Sequence, residues 1–280
     1  MSNRITLLDL GNISVESSFL VFARDIGSQA TVKTFSFLIT GDQIDPILID
    51  TGFTNLEIIK RLGMSVTQQE EQTIEKQLFN HGLKIKDIRY ILHTHLHVDH
   101  AGNDYLFPMN TTKVIVNRRE LEFSVSGIMG GVYPPENIKH LIDRLHADNS
   151  LGLLDLELTG PDEILPGIVC ERAGGHTDGS MNILVETDEG TACICGDVLY
   201  NIHDQVIVPH LQNNFVEPQT SANRSTASRE EKAAIKKVLR HDIILPSHDY
   251  PAKLKHGKVI GRYMETIPGP QVQTIDLPKL

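Results

Sequence analysis

One short segment of this 280-residue sequence concentrates side chains that bind metal ions. Residues 93–100 read His-Thr-His-Leu-His-Val-Asp-His, and they follow an apolar run that is typical of a buried strand. Neutral imidazole and carboxylate are the usual ligands of zinc, and a catalytic zinc site keeps one coordination position open. His95 and His97 share one side of an extended chain, whereas the adjacent Asp99 and His100 can face a different ion. The spacing predicts two metal ions, with His93 outside the ligand set in a supporting role.

Further ligands must come from elsewhere in the chain, because one segment cannot complete two metal sites. Three later segments, residues 174–177, 195–197 and 246–249, place a histidine or an aspartate beside glycine or after an apolar run. Side chains that follow a strand project into a cleft rather than into a core. The seven candidate ligands are therefore His95, His97, Asp99, His100, His176, Asp197 and His248.

Short apolar runs indicate the elements that would hold these segments in place. The predicted strands cover residues 19–23, 35–40, 47–50, 88–92, 113–116, 168–172, 181–186, 191–195 and 243–245. The predicted helices cover residues 68–81, 138–145 and 229–239, and Ile74, Leu78 and Phe79 of the first helix are expected to face a core. Strands in blocks, with helices between the blocks, predict sheets in the middle and helices outside. A single domain over residues 1–280 is expected, with a proline-containing tail at 265–280 that wraps or frays.

Residues 126–156 interrupt this pattern, because glycines and prolines surround a short amphipathic helix. Two interpretations stay open at this point. The segment is either a substrate lid or a homodimer contact inserted into the domain, or an ordinary helical excursion on the surface.

The composition limits the possible partners and the compartment. The formal net charge of −10 argues against nucleic acid, which needs a basic face. Three cysteines, Cys170, Cys193 and Cys195, are too few for a disulfide framework, and they lie in apolar runs. We therefore expect them to be small, buried core residues. No stretch approaches the roughly 20 apolar residues of a membrane helix, and the first residues do not resemble a signal peptide. We expect a soluble, cytoplasmic protein with a small-molecule substrate and no nucleic-acid or membrane partner.

The motifs resemble those of the metallo-β-lactamase superfamily. The resemblance rests on the His95-to-His100 run, residues 175–177, residues 196–197, the late His248 and the earlier Asp50 of residues 49–52, and it spans residues 47–249. It implies an α/β fold, an αββα sandwich of two mixed sheets with helices on the outer faces. It also implies two divalent metal ions, with zinc as the first expectation and manganese, cobalt or iron as alternatives.

The resemblance further implies how the ligands are divided between the two ions. His95, His97 and His176 would hold the first ion, and Asp99, His100 and His248 would hold the second. Asp197 would bridge both ions with its two oxygens. Asp50 would accept a hydrogen bond from a ligand imidazole, although a simple turn-capping role is the alternative.

Within the superfamily the chain resembles the N-acyl-homoserine lactonase group. That group shares the run from His95 to Gly102, a tyrosine three residues after the bridging aspartate, here Tyr200, and an aspartate after the late histidine, here Asp249. The resemblance implies ring opening of a lactone by a hydroxide that bridges the two metal ions. Asp99, Asp197 and Tyr200 are the candidate catalytic residues, and Tyr200 would donate a hydrogen bond to the carbonyl oxygen unless it is only a packed tyrosine.

Several other activities stay open. The same site could hydrolyse another ester, a thioester, a cyclic amide or a phosphoester. Glutathione thioester hydrolases of the superfamily carry basic residues near the C-terminus, and Lys253, Lys255 and Lys258 keep that possibility. A di-iron oxidoreductase and a metal-binding protein without catalysis are less favoured alternatives.

Overall fold

Two β-sheets pack face to face in the computed structural model, which describes residues 3–54, 56–209, 217–263 and 274–275. The first strands are β1 (Arg4–Glu16), β2 (Gln29–Gly41), β3 (Ile44–Ile49), β4 (Ser65–Thr67), β5 (Tyr90–Leu92), β6 (Lys113–Asn117) and β7 (Leu151–Leu154). The later strands are β8 (Asp162–Leu165), β9 (Ile168–Arg172), β10 (Met181–Thr187), β11 (Gly190–Gly196), β12 (Ile243–Pro246), β13 (Ala252–Lys255), β14 (Lys258–Tyr263) and β15 (Thr274–Ile275).

Helices and helical turns separate or follow these strands. The α-helices are α1 (Ser17–Leu20), α2 (Leu56–Arg61), α3 (Ile74–Asn80), α4 (Arg118–Ser124), α5 (Pro135–Leu145), α6 (Leu156–Thr159) and α7 (Ser228–Val238). Single 3-10 turns cover Glu70–Gln72, Ile85–Asp87 and Asp104–Leu106, and a π-helical turn covers His203–Ile207. Among the described helices, none combines the length and apolarity that a membrane crossing requires.

Both sheets are mixed. The first has seven strands in the order β4-β1-β2-β3-β5-β6-β7, and its strands run parallel from β3 to β7. The second has eight strands in the order β15-β14-β13-β12-β11-β10-β9-β8, so strands that are neighbours in the sequence are also neighbours in the sheet. Its parallel pair is β11 and β12. Parallel neighbours end at the same edge of a sheet, so β3 and β5 present their carboxyl ends together in the first sheet, and β11 and β12 do so in the second. The αββα sandwich implied by the sequence is confirmed.

The alternation of side chains along the strands explains the layers. On β2, Phe37 and Ile39 point into the core between the sheets, whereas Leu38 points outward beneath the helices. Successive residues of a strand face opposite sides, so one strand can serve two cores. Leu141 of α5 covers the outer face of the first sheet, and Ile235 of α7 covers the second. The three cysteines are free and buried, as expected.

Two local predictions are wrong. Residues 19–23 do not form a strand, since α1 and a turn follow the long strand β1 there. The Glu16 carboxylate accepts hydrogen bonds from Ser18 Oγ and Gly27 N, and this closes the chain into a turn. The predicted helix over residues 68–81 is a 3-10 turn and the shorter α3, because Thr73 between them is extended. Ile74 and Leu78 are buried as predicted, but Phe79 is 68% exposed.

Much of residues 126–156 belongs to the core of the domain. β7 pairs with β6, and the buried Arg144 of α5 donates hydrogen bonds to the backbone carbonyls of Thr112, Asp104 and Phe107. A lid or dimer role for residues 126–156 stays a prediction. The predicted tail at 265–280 lies outside the described residues, apart from β15, which pairs with β14.

Candidate metal centre

Loops from both sheets bring the seven candidate ligands together. The loop after β5 carries residues 95–100, the loop between β9 and β10 carries His176, and the ends of β11 and β12 carry Asp197 and His248. The ligand atoms form two groups, in each of which all atoms lie within 4.8 Å of one another. Six of the seven residues are buried, and Asp99 is partly exposed.

The first group contains His95, His97, His176 and Asp197. His176 Nε2 lies 3.1 Å from His95 Nε2 and 3.1 Å from His97 Nδ1. Asp197 Oδ2 lies 3.8 Å from His95 Nε2 and 3.7 Å from His176 Nε2. Four ligand atoms from three loops thus surround one point.

The second group contains Asp99, His100 and His248. His248 Nε2 lies 3.3 Å from Asp99 Oδ2, and His100 Nε2 lies 3.8 Å from Asp99 Oδ1. Asp197 Oδ1 lies 3.2 Å from His100 Nε2 and 3.3 Å from His248 Nε2. Asp197 therefore turns one oxygen to each group, which is the arrangement of a bridging carboxylate.

In four of the five candidate ligand imidazoles, one ring nitrogen faces away from the site. That nitrogen lies beside a hydrogen-bond acceptor. An acceptor at that position fixes the proton there, so the opposite nitrogen presents a lone pair to a metal. The Nδ1 contacts are His95 with Thr94 Oγ1 (3.1 Å), His100 with Asp50 Oδ2 (2.8 Å), His176 with Asn223 O (2.8 Å) and His248 with Lys33 O (2.6 Å).

This donor set fits two divalent cations. With their protons on Nδ1, His95 and His176 direct two lone pairs at each other across 3.1 Å, which is repulsive unless a cation lies between them. Within the part of the chain that the structure describes, His100 Nε2 and Asp197 Oδ1 are buried without a hydrogen-bond partner, and a buried polar atom without a partner is costly. Imidazole and carboxylate ligands suit zinc, iron, cobalt and manganese, so the geometry does not choose among these metals.

The electrostatics differ between the two groups. Burial and the neighbouring histidines hold the pKa of His95 and His97 well below the ordinary value, so both are neutral, as candidate metal ligands must be. Burial opposes charge on His248 as well, but the carboxylates of Asp197 and Asp99 raise its pKa to about 10. A cation in the second group therefore competes with a proton, which makes metal binding there more dependent on pH.

Asp50 and His93 form a polar layer beneath the second group. The Asp50 carboxylate accepts hydrogen bonds from His100 Nδ1, from Thr94 N and from Thr94 Oγ1. Asp50 thus contacts a ligand imidazole, as the resemblance implied, and it does so with a strained φ of 58°. The buried His93 lies between Asp50 and Asp104, at 3.3 Å and 2.9 Å. Burial disfavours its charge, but the two carboxylates raise the pKa of His93 to about 9.

Tyr200 is buried at the junction of the two groups. Its hydroxyl donates to Asp197 Oδ2 at 2.7 Å and accepts from Asn223 Nδ2 at 2.7 Å. Its ring is stacked on His248 with a centroid distance of 5.4 Å. Burial and the Asp197 carboxylate raise the pKa of the phenol well above its usual range, so the hydroxyl keeps its proton. Its hydrogen bond to a substrate carbonyl stays a prediction.

An apolar cleft opens onto this centre. Asp99, Asp197, Tyr200 and His248 form its floor. The apolar side chains that line its wall, hereafter the pocket wall, are Ile13, Val15, Phe19, Leu20, Val32, Leu62, Met64, Val98 and Val132. A mainly apolar cleft with a few polar groups at one end is typical of a small-molecule site.

Comparison with known protein families agrees with this geometry. Residues 31–248, which include all seven candidate ligands, match the family model of the metallo-β-lactamase superfamily. The chain belongs to this superfamily. The chain combines membership of this superfamily with a cluster of histidine and aspartate side chains that could hold metal ions. Together these two features indicate a metal-dependent hydrolase.

Individual relatives in the superfamily include lactonases. An N-acyl homoserine lactonase of Bacillus cereus is 27% identical over 194 residues, which cover 64% of this chain and 70% of that protein. An N-acyl homoserine lactone hydrolase structure with the product N-hexanoyl-L-homoserine at its metal centre has a TM-score of 0.68 at 22% identity, covering 89% and 94% of the two chains. The dizinc lactonase AidC has a TM-score of 0.65 at 18% identity, covering 97% and 96%. These two structures show a shared fold.

Sequence reasoning missed three residues that support the centre in this superfamily member. Asp104 holds His93, Asn223 contacts both His176 and Tyr200, and Glu120 lies between two ligand loops. Glu120 closely follows a predicted strand, as several ligands do, and that signal could have drawn attention to it. The other two residues have partners far away in the sequence, so no local pattern marks them.

Proposed function

We propose that this superfamily member hydrolyses lactones that carry an apolar acyl chain, using a pair of divalent ions. The observation that carries the proposal is the apolar pocket wall, which ends on Asp99, Asp197 and Tyr200. An acyl chain packed on that wall would leave its polar lactone ring at the candidate ligands. The names of relatives support the same substrate class, since several are N-acyl homoserine lactonases.

The residues of this chain have distinct roles in the proposed reaction. Two divalent cations, when bound, lower the pKa of water and polarise the substrate carbonyl. Tyr200 keeps its proton and can turn its hydroxyl from Asp197 towards the carbonyl oxygen as negative charge develops there. Before substrate binds, Asp197 accepts a hydrogen bond from that hydroxyl, and we assign it the transfer of a proton from the attacking water to the leaving alkoxide. Asp99 is the ligand most open to the cleft, so it would lie beside the bound ring.

The alternative of a glutathione thioester substrate receives less support. None of the three C-terminal lysines is among the residues that line the described cleft. Lys253 pairs with Glu189 at the turn between β10 and β11, which is the opposite end of β11 from Asp197. Thioesters, phosphoesters, other esters and cyclic amides therefore become comparison substrates in the test, and a di-iron oxidoreductase stays an untested prediction.

A hydrolysis screen tests this proposal. Protein reconstituted separately with zinc, manganese, cobalt or iron is offered N-acyl lactones of increasing chain length, together with thioesters and phosphoesters, and acid release is measured. We expect lactone opening with a KM that falls as the acyl chain lengthens. His97→Ala is the control for contaminating activity. Preferential hydrolysis of a thioester or a phosphoester, with lactones untouched, would exclude the proposed substrate class.

A further inference from the structure

Glu120 is a fully buried carboxylate at the start of α4 that contacts two loops at once. One oxygen, Oε1, accepts hydrogen bonds from Leu96 N at 3.0 Å and from Tyr133 Oη at 2.9 Å. The other, Oε2, accepts one from Thr177 Oγ1 at 2.6 Å. Leu96 lies between His95 and His97 in sequence, and Thr177 directly follows His176. Each loop that carries a histidine of the first group is therefore bonded to the same side chain.

The two loops belong to different sheets. The loop with His95 and His97 follows β5 of the first sheet, and the loop with His176 joins β9 to β10 of the second. A metal position made of these three histidines tolerates only small changes of distance between the sheets, since a zinc–nitrogen bond is about 2.0–2.1 Å long. Glu120 therefore controls a distance on which coordination depends.

Two packing contacts reinforce this arrangement. Tyr133, which donates to Glu120, lies with its ring 4.8 Å from the His97 imidazole. The loop after Thr177 touches the first turn of α4 so closely that a Cβ on Gly179 would lie 2.0 Å from Glu120 N. A side chain at residue 179 would push the His176 loop away from α4.

The second group of ligands is held differently. Its two histidines, His100 and His248, contact the Asp50 carboxylate and the Lys33 carbonyl, and neither of these residues hydrogen-bonds Glu120. Removing Glu120 would therefore loosen the first ion position more than the second, although Asp99 and His100 lie on the same loop as His95 and His97.

We propose that Glu120 is a positioning residue that sets the metal affinity of the three-histidine position and affects the second position less. It acts by holding the His95–His97 loop and the His176 loop at a fixed separation. The proposal concerns the ion pair alone and does not depend on which substrate the protein hydrolyses.

Cobalt titration of the full-length protein tests the inference. Binding is followed by visible absorption and by competition with a chelating dye. The variants are Glu120→Ala and Glu120→Gln, and the control is Glu171→Gln, which changes another buried carboxylate that accepts from Asn182 Nδ2 at 2.9 Å. Loss of a group that orients metal ligands typically costs 10–100-fold in metal affinity. For Glu120→Ala we expect one cobalt equivalent to weaken by about that factor while the other weakens much less.

Glu120→Gln should weaken the same equivalent less, because the amide oxygen can still accept from Leu96 N and Tyr133 Oη. Thr177→Val and Tyr133→Phe each remove a single bond to Glu120 with little change of shape, and they decide the question if Glu120→Ala does not fold. Both should weaken the same equivalent by a smaller factor. Unchanged affinities, or an equal weakening of both equivalents together with a fall in Tm, would overturn the proposal. So would an effect of Glu171→Gln as large as that of Glu120→Ala.

The expected folding of the variants also rests on an observed contact. The backbone of Met181 donates to the Thr94 carbonyl at 2.8 Å and joins β10 to the ligand loop after β5. Side-chain changes at Glu120 leave this bond between the sheets intact. We therefore expect the sandwich to remain assembled while the ligand loops shift.

Discussion

The metal centre and the pocket wall are adjacent but are built on opposite principles. In the centre, buried polar side chains such as Asp50 and Tyr200 each have named hydrogen-bond partners. In the wall, the side chains are apolar, and Phe19 is 39% exposed. Replacing one apolar side chain by another of similar volume costs little, whereas removing one partner of a buried polar pair costs much more. The comparison indicates that the reaction type is fixed by the centre, whereas substrate choice can change in the wall.

One segment connects the two regions. The backbone amides of Ala222 and Asn223 both donate to the Phe19 carbonyl at 3.1 Å. The Asn223 carbonyl contacts His176 Nδ1, and its side-chain amide donates to Tyr200. The backbone of the wall and the ligands of the centre are therefore joined, although their side chains are chemically separate.

Replacement of the bridging carboxylate should give the largest effect. Asp197→Ala removes a ligand of both groups, so we expect both metal content and hydrolysis to fall. The rate should fall by more than about 10²-fold, since loss of a residue that only orients the ligands already costs 10–100-fold in affinity or activity. Elemental analysis and turnover on the best lactone measure the two effects. Asp155→Ala, at a surface ion pair with Arg118, is the matched control. Two full equivalents of metal in Asp197→Ala would remove Asp197 from the ligand set.

Replacement of Tyr200, which lies between the metal centre and the pocket wall, should have the next largest effect on the rate. Tyr200→Phe removes one hydrogen-bond donor and almost no volume, so metal content should stay near wild type, whereas Tm should fall because the Asn223 side-chain amide loses its acceptor. Loss of a single oxyanion donor costs on the order of 10²-fold in kcat, and we expect about 10-fold here because metal ions share the charge.

The hydrogen bond from Asn223 gives a check on this assignment. If Asn223 acts only by orienting the Tyr200 hydroxyl, Asn223→Ala should slow the wild-type enzyme and have no further effect in the Tyr200→Phe background. Unchanged turnover of Tyr200→Phe would show that the tyrosine is only part of the pocket.

Truncation of the wall should change substrate preference and leave the chemistry intact. Phe19→Ala removes apolar contact area from the cleft, so KM for a long-chain lactone should rise about 10-fold, which is within the range for small changes of apolar contact. KM for a short-chain lactone and kcat for both should stay the same. Phe79→Ala is the matched control, since Phe79 is exposed and does not line the cleft. An equal loss on short and long chains would place the acyl chain elsewhere.

The same comparison explains what the sequence could predict. The candidate ligands were recognisable because they cluster within residues 93–100 or lie beside glycine or after apolar strands. The order of strands and helices predicted sheets in the middle with helices outside, and the two-sheet sandwich came from the family resemblance. β1 was missed because a bulge between Asp9 and Asn12 interrupts its alternation of buried and exposed residues. Glu120 was missed because the sequence around a buried glutamate looks the same as that around an exposed one. Only its hydrogen-bond partners elsewhere in the chain, such as Thr177, distinguish the two cases. The pocket wall combines residues from five separate parts of the chain, and only the fold brings them together.

The smallest effect is expected at Glu231, which supports the segment that joins the two regions. Its buried carboxylate accepts hydrogen bonds from Ser221 N at 2.9 Å and Ser221 Oγ at 2.8 Å, and the nearby Arg224 forms an ion pair with it. Burial outweighs these contacts and raises the pKa of Glu231 from 4.5 to about 7. Between these values the folded protein holds a proton that the unfolded chain releases, so stability falls as pH rises through this window and stays lower above it.

Glu231→Gln removes this dependence while keeping an oxygen that accepts from Ser221. The free energy of unfolding of the variant, relative to wild type, should therefore increase from pH 5 to pH 8. The increase is at most about 3 kcal/mol, since one pKa unit corresponds to about 1.4 kcal/mol. Denaturant unfolding of both proteins at the two pH values measures the difference, and pH effects shared by the two proteins cancel in it. Turnover should not differ, because Glu231 stabilises the segment without touching the ligands. A difference in stability that is constant with pH would show that Glu231 is ionised throughout, with Arg224 and Ser221 compensating for its burial.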